Sequence, residues 1–126
     1  MKIVRFKNLD FIPASHEDPK DPGALKKVLL NRDDIPAGRI QMINWAKIPK
    51  GKSFAPHYHE KMIEVFIIMN GKVKARIADE EAILEKGDMV IAMMGQVHTM
   101  TNLSYEDIDY ITVGVVTSEG GKTVNV

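Results

Sequence analysis

Apolar and polar residues alternate with a period of two through much of this chain, in short runs broken by turn-forming clusters. Residues 72–78 are the clearest case, with Val73, Ala75 and Ile77 set against Lys74 and Arg76. That spacing predicts a strand with one face in a core, since successive side chains of an extended chain point to opposite sides. Asn70-Gly71 before it is a hairpin signal. Residues 79–81 are an acidic turn, residues 82–84 a further short strand before Lys86-Gly87-Asp88, and residues 89–92 another. A long β run over residues 110–117 follows the acidic turn at residues 105–107, and Gly120-Gly121 lets residues 122–126 fold back as a last strand. Toward the amino terminus, residues 2–6 predict a short strand and residues 10–23, interrupted by Pro13, Pro19 and Pro22, an arm. Residues 25–30 then predict a strand, residues 31–38 a turn, and residues 39–48 a longer strand. About ten short strands with regular turn signals, and no amphipathic helix, predict an all-β fold, an antiparallel β-barrel or jelly-roll sandwich with minimal helix.

Two stretches depart from simple alternation. Residues 39–48 carry Ile40, Met42, Ile43, Trp45 and Ile48 on both faces, and residues 63–69 place Ile63, Val65, Ile67 and Met69 opposite Glu64, Phe66 and Ile68. Strands apolar on both sides imply a cover outside the barrel as well as a core within it. A second subunit is the expected cover, so a homodimer is predicted; the alternative is burial under the amino-terminal arm alone.

A chain of 126 residues, 44% hydrophobic, supports one core, so residues 1–126 are read as a single domain with residues 1–25 as amino-terminal strand and arm. Lysine plus arginine equal aspartate plus glutamate at 17 each, which leaves no basic footprint for nucleic acid or an anionic membrane. No apolar run reaches the ~18–20 residues of a membrane span, and a cytoplasmic location is expected. The absence of cysteine leaves only nitrogen and oxygen donors for any metal.

Those donors are clustered. His57 and His59 lie two apart, which puts both rings on one face of a strand at ~6.5–7 Å. Glu64 has the wrong parity for one unbroken strand, so the chain must bend at Glu60-Lys61-Met62 and return the carboxylate toward the histidines. His98 is a fourth candidate, between an apolar run and a Gly turn. His16, beside Glu17 and Asp18, reads as part of a solvated loop.

The two stretches resemble the motifs of the cupin family, G-x5-H-x-H-x4-E-x6-G and G-x5-P-x-G-x2-H-x3-N. Gly51, His57, His59, Glu64 and Gly71 meet the first; Gly87, Gly95, His98 and Asn102 meet the second, with Met93 where the family usually has proline. That exchange predicts a looser rim loop. The resemblance implies a small antiparallel β-barrel holding one divalent transition metal per chain on His57, His59, Glu64 and His98, and it also implies a dimer. Three imidazoles and a carboxylate suit Fe, Mn, Ni, Cu or Zn and disfavour calcium or magnesium. Parity places Phe66 and Ile68 with Glu64, and Met100 with His98, as pocket candidates; Asn44 and Tyr110, with Tyr58 and Tyr105, are the polar ones. A small-molecule ligand is expected. A metal-dependent oxygenase acting on a small substrate is the leading expectation. A non-redox metal-dependent isomerase or lyase, and a non-catalytic ligand-binding or sensing module, remain as alternatives.

Overall fold

The structure, a computed structural model, describes residues 3–34, 38–116 and 122–126. Among them are β1 (Ile12–Pro13), β2 (Leu25–Asn31), β3 (Ile40–Ile48), β4 (His57–His59), β5 (Met62–Ile68), β6 (Lys72–Ile77), β7 (Glu80–Glu85), β8 (Met89–Ala92), β9 (His98–Asn102), β10 (Ile108–Val116) and β11 (Thr123–Asn125). They form two antiparallel sheets, ordered β1-β2-β3-β10-β5-β8 and β11-β4-β9-β6-β7, packed as a jelly-roll sandwich. Helix among the described residues is confined to 3-10 turns at Phe6–Asn8 and Arg32–Asp34.

The period-two pattern translates directly into burial. Along β5 every second residue is buried, Met62, Glu64, Phe66 and Ile68, and β10 alternates in the same way from Ile108 to Val116. Ile48, Phe54, Ile68, Val73 and Ile108 close the apolar core, each at most 1% exposed. Fully burying such a side chain stabilises by roughly 1.5–3 kcal/mol. The motif glycines serve the turns: Gly71 sits at φ +71°, where its missing Cβ makes room for the Ile108 and Ser104 side chains.

Three local expectations are corrected. Residues 3–5 form no strand, and Phe6 enters a 3-10 turn instead. The Lys27 ammonium lies 3.7 Å over the Phe6 ring and donates to the Phe6 carbonyl at 3.0 Å, which draws the arm down as a cap on the sheet's outer side. Ladder pairing begins only at Ile12↔Lys26. The acidic turn is shorter than its composition suggests: Ala78 and Asp79 alone reverse the chain, Ala78 at φ +52°, and Glu80 and Glu81 already pair with Ile77 and Arg76. Finally, β10 starts at Ile108 because Asp109 is held in register by the Asn70 side chain, which accepts its N–H at 2.6 Å. The expected reversal at Gly120-Gly121, and residues 35–37 of the expected turn, lie outside the described residues.

The outer face of the six-stranded sheet is apolar, as the two-sided strands require. Val65 pairs with Val113 and Ile91, Ile67 with Ile111 and Met89, and Ile43 with Val113. Among the described residues the arm reaches one end of it, where Phe6 meets Trp45 at 5.3 Å between ring centroids. Met89 and Ile91 remain 53% and 43% exposed.

Candidate metal centre

The two histidines of β4 are placed by parity, and both are buried. The chain then bends at Glu60 and Lys61 and crosses to the opposite sheet, so that Glu64 on β5 faces the histidines from across the sandwich. β9 runs antiparallel to β4 with His57 and His98 as direct partners, which sets those two rings side by side, centroids 4.4 Å apart. One donor atom from each of His57, His59, Glu64 and His98 lies within 4.8 Å of all the others, and all four residues are buried. A single ion can bridge that span.

The hydrogen bonds around the rings decide what they can do. His57 Nδ1 donates to the Ala55 carbonyl at 2.7 Å and His98 Nδ1 to the Gln96 carbonyl at 2.9 Å. A carbonyl only accepts, so both rings carry their proton on Nδ1 and present a bare lone pair at Nε2. His59 Nδ1 meets the Thr123 hydroxyl at 2.9 Å, a partner that tolerates either tautomer. The Nε2 atoms of all three are buried and without a hydrogen bond. His59 Nε2 stands 2.8 Å from Glu64 Oε2, close enough for an ion pair but without hydrogen-bond geometry. Orphaned buried nitrogens of this kind are costly unless something fills the space between them, and a metal ion bound at Nε2 with Nδ1 tied to an acceptor is the arrangement that does so.

Electrostatics favour the same state. Burial, reinforced by the charge of His16, holds the His57 pKa down to about 3. Burial also lowers that of His98. For Glu64 burial acts in the raising direction, but the close contact with His59 at 2.8 Å and its charge, with the charges of His98 and His57, outweigh it and leave the carboxyl below its ordinary range. Neutral imidazoles beside a carboxylate are the protonation states a divalent ion requires. The shifts also fix how the metal-free protein responds to acid. The unfolded chain protonates His57 near 6.5 while the folded chain resists until about 3, so in that window the unfolded state binds more protons and stability falls as pH falls. The depressed Glu64 acts with the same sign below its ordinary value of 4.5. Urea unfolding of metal-free protein is expected to give a clearly lower midpoint at about pH 4 than near neutrality; equal midpoints contradict this reading.

A cavity of about 230 Å³ opens beside the cluster, lined in part by His59, Glu64, Asn44, Tyr110, Lys26 and Thr112. Of the pocket residues expected from sequence, Asn44 and Tyr110 thus line it. Phe66, Ile68 and Met100 point inward as their parity predicts but belong to the packed apolar end, at most 2% exposed. Phe66 comes no nearer the site than ring contact with His98, centroids 5.6 Å apart. Parity selects the inside of a sandwich without dividing its polar end from its apolar one. Tyr58 lies on the other face of β4 from the two histidines, and Tyr105 is 90% exposed. Burial, with smaller contributions from Glu64 and Glu17, raises the Tyr110 pKa, so its hydroxyl stays protonated.

The arm contributes more than its composition suggests. His16 stacks on His57 with centroids 4.0 Å apart, and its Nδ1 lies 2.5 Å from Glu17 Oε2. The buried Glu17 carboxylate also accepts the N–H groups of Gly23 and Ala55, each at 2.8 Å, which fastens the arm to the segment before β4. Phe54 touches His16, His57 and His98 in turn. At the rim, Met93 donates its N–H to Gln96 Oε1 at 2.9 Å, a bond proline could not make, and Gly95 donates to the His59 carbonyl at 2.8 Å. Asn102 is a structural member of its motif: its side chain bonds the Ile48 and Glu106 carbonyls and the Ser104 N–H.

Residues 44–114 match the family model described as Cupin domain. No protein of curated function matches the sequence. Among solved structures, a predicted oxalate decarboxylase from Thermotoga maritima superposes with a TM-score of 0.80 at 20% identity, covering 91% of this chain and 99% of that one. The polyketide cyclase RemF from Streptomyces resistomycificus gives 0.78 at 18% identity, covering 100% and 85%. KdgF from Halomonas sp. gives 0.70 at 17% identity, covering 90% and 94%. At these identities the likeness is one of fold.

Proposed function

Because this chain belongs to the cupin family, we propose that it is a metal-dependent enzyme of oxygenase type acting on a small molecule, with His57, His59, Glu64 and His98 holding one divalent transition metal. The observation that carries this reading is the set of three buried Nε2 atoms, none hydrogen-bonded among the described residues, facing one carboxylate beside an open cavity. Four protein donors leave about two positions of a six-coordinate ion free, and a metal bound there supplies Lewis acidity or an electron to whatever occupies them. The chain's own part is to orient the rings through Ala55, Gln96 and Thr123, to keep bulk water out with Phe54, Phe66 and Tyr110, and to offer the protonated Tyr110 hydroxyl at the cavity wall.

Iron-loaded protein given a panel of keto acids, diols and thiols is expected to consume oxygen with at least one of them. His98→Ala and Glu64→Ala should abolish the uptake. Oxygen electrode traces identical for wild type and both variants rule the oxygenase reading out. Met42 and Met62 line the same cavity, and thioethers are poor neighbours for oxidising chemistry, which supports a second reading as a non-redox isomerase or lyase. Anaerobic turnover with zinc or manganese selects it. Ligand-induced stabilisation without turnover in any metal-loaded form points to a binding module.

The protein is further proposed to be a homodimer through the outer face of the six-stranded sheet. Among the described residues the arm caps only the Trp45 end of that face, while Met89 and Ile91 stay bare. Sedimentation equilibrium should return about twice the 14.1 kDa chain mass, and Ile91→Glu should return a single chain; a monomeric wild type refutes the dimer.

A further inference from the structure

The cavity wall away from the imidazoles carries a cation and two oxygens that the cluster does not use. Lys26 on β2 faces the inside of the sandwich, paired with Ala46, and lines the same cavity as His59 and Glu64. Its ammonium has a neutral partner, the Ser15 hydroxyl at 2.8 Å, and makes no ion pair among the described residues. Half-burial lowers its pKa, while the charge of Glu64 acts the other way, so the lysine feels the site across the cavity. Beside it, Asn44 and Thr112 are paired across β3 and β10, each about 6% exposed. Both residues line the cavity, and Asn44 Oδ1 and Thr112 Oγ1 are buried with no hydrogen-bond partner among the described residues. Buried polar atoms without partners are rare and costly, and three polar groups converging on one small space describe a ligand.

We propose that this cavity takes a small hydroxy-carboxylic acid, its carboxylate held by Lys26, its hydroxyl hydrogen-bonded by Asn44 and Thr112, and its far end directed at the four-residue cluster. The inference deepens the metal-centre reading and rests on it for the far end and for the charge balance of the cavity, while the Lys26, Asn44 and Thr112 contacts stand without it. Charge supports the assignment: Glu64 cancels only half of a divalent ion, and Lys26 adds to the surplus, so an anion is the occupant the cavity compensates. Volume supports it as well, since about 230 Å³ is smaller than the ~300–1,000 Å³ of pockets for drug-sized molecules. Asn44 Oδ1 requires a donor, and Thr112 supplies or accepts a proton, which matches an alcohol and gives nothing to a simple hydrocarbon chain.

The test is calorimetric titration of zinc-loaded protein with glycolate, acetate and the neutral glycolamide, with zinc content measured in each sample. Glycolate should bind at least about tenfold more tightly than glycolamide. Lys26→Met should lose that factor for glycolate, keep its glycolamide affinity and retain its zinc, and Lys26→Arg should recover part of the loss. Thr112→Val should erase the preference for glycolate over acetate, and it tests the same pocket should a change at Lys26 disturb β2. Glycolate binding undiminished in zinc-replete Lys26→Met, or no glycolate binding at millimolar concentration, overturns the proposal. Wild-type protein that takes up no zinc overturns the metal centre instead. The lysine dependence of glycolate binding by the metal-free protein then still decides the anion site.

Discussion

His59→Ala is expected to lose more than ~100-fold of its zinc affinity while folding to the same two-sheet sandwich. Loss of a residue that merely orients a metal-bound histidine typically costs 10–100-fold, and His59 supplies a donor itself, so its loss should exceed that range. Its ring sits 2.8 Å from Glu64 Oε2, and without it the cluster keeps two imidazoles and one carboxylate. The fold should survive because His59 makes its ring contacts with His57 and His98, while the apolar core from Ile48 and Phe54 to Val73 and Ile108 is packed without it. Chelator competition reads the affinity, and thermal melting of the metal-free variant reads the fold. A variant that unfolds when zinc is removed would show that the ion is structural and that the enzymatic proposal starts from the wrong premise.

The largest expected effect on stability lies at Phe54. The side chain is 1% exposed and its ring lies within 6.5 Å, centroid to centroid, of Phe66, Tyr110, His57, His98 and His16. Truncating a buried phenylalanine to alanine costs ~3–5 kcal/mol, a large share of the ~5–15 kcal/mol that holds a typical domain folded. Phe54→Ala should therefore shift the urea midpoint strongly, and Phe54→Leu much less. Because the same ring buttresses three histidines, the alanine variant should also bind zinc more weakly, an effect not expected of a core residue remote from the site. A stability loss below ~1 kcal/mol would mean the ring is not packed as described.

The four clustered donors were legible in sequence because each depends on a local rule. His57 and His59 share a face by period two, Glu64 requires the bend at Glu60-Lys61, and the Gly-bounded spacing around His98 matches a known motif. The all-β architecture followed from the same periodicity. What periodicity could not show is what long-range packing creates. The stacking of His16 on His57 depends on Glu17 reaching Gly23 and Ala55, a set of bonds with no signature in composition. Lys26 looks like an ordinary polar strand residue until its pairing with Ala46 turns it inward. Phe54, which lies in no strand, offers no parity at all. Phe66, Ile68 and Met100 show the converse limit, inward-facing by rule yet set in the core by the way the sandwich is filled.

The contrast between the carbonyls that hold His57 and His98 and the hydroxyl that holds His59 bears on how this centre can change over time. Peptide oxygens are present whatever residue occupies positions 55 and 96, so mutation there leaves two of the rings aimed as before. Thr123 is different: a single nucleotide change can remove its hydroxyl and free the third ring to turn. Thr123 is therefore the one of these three positions at which a substitution changes how a ring of the cluster is held, the adjustable screw of an otherwise fixed mount.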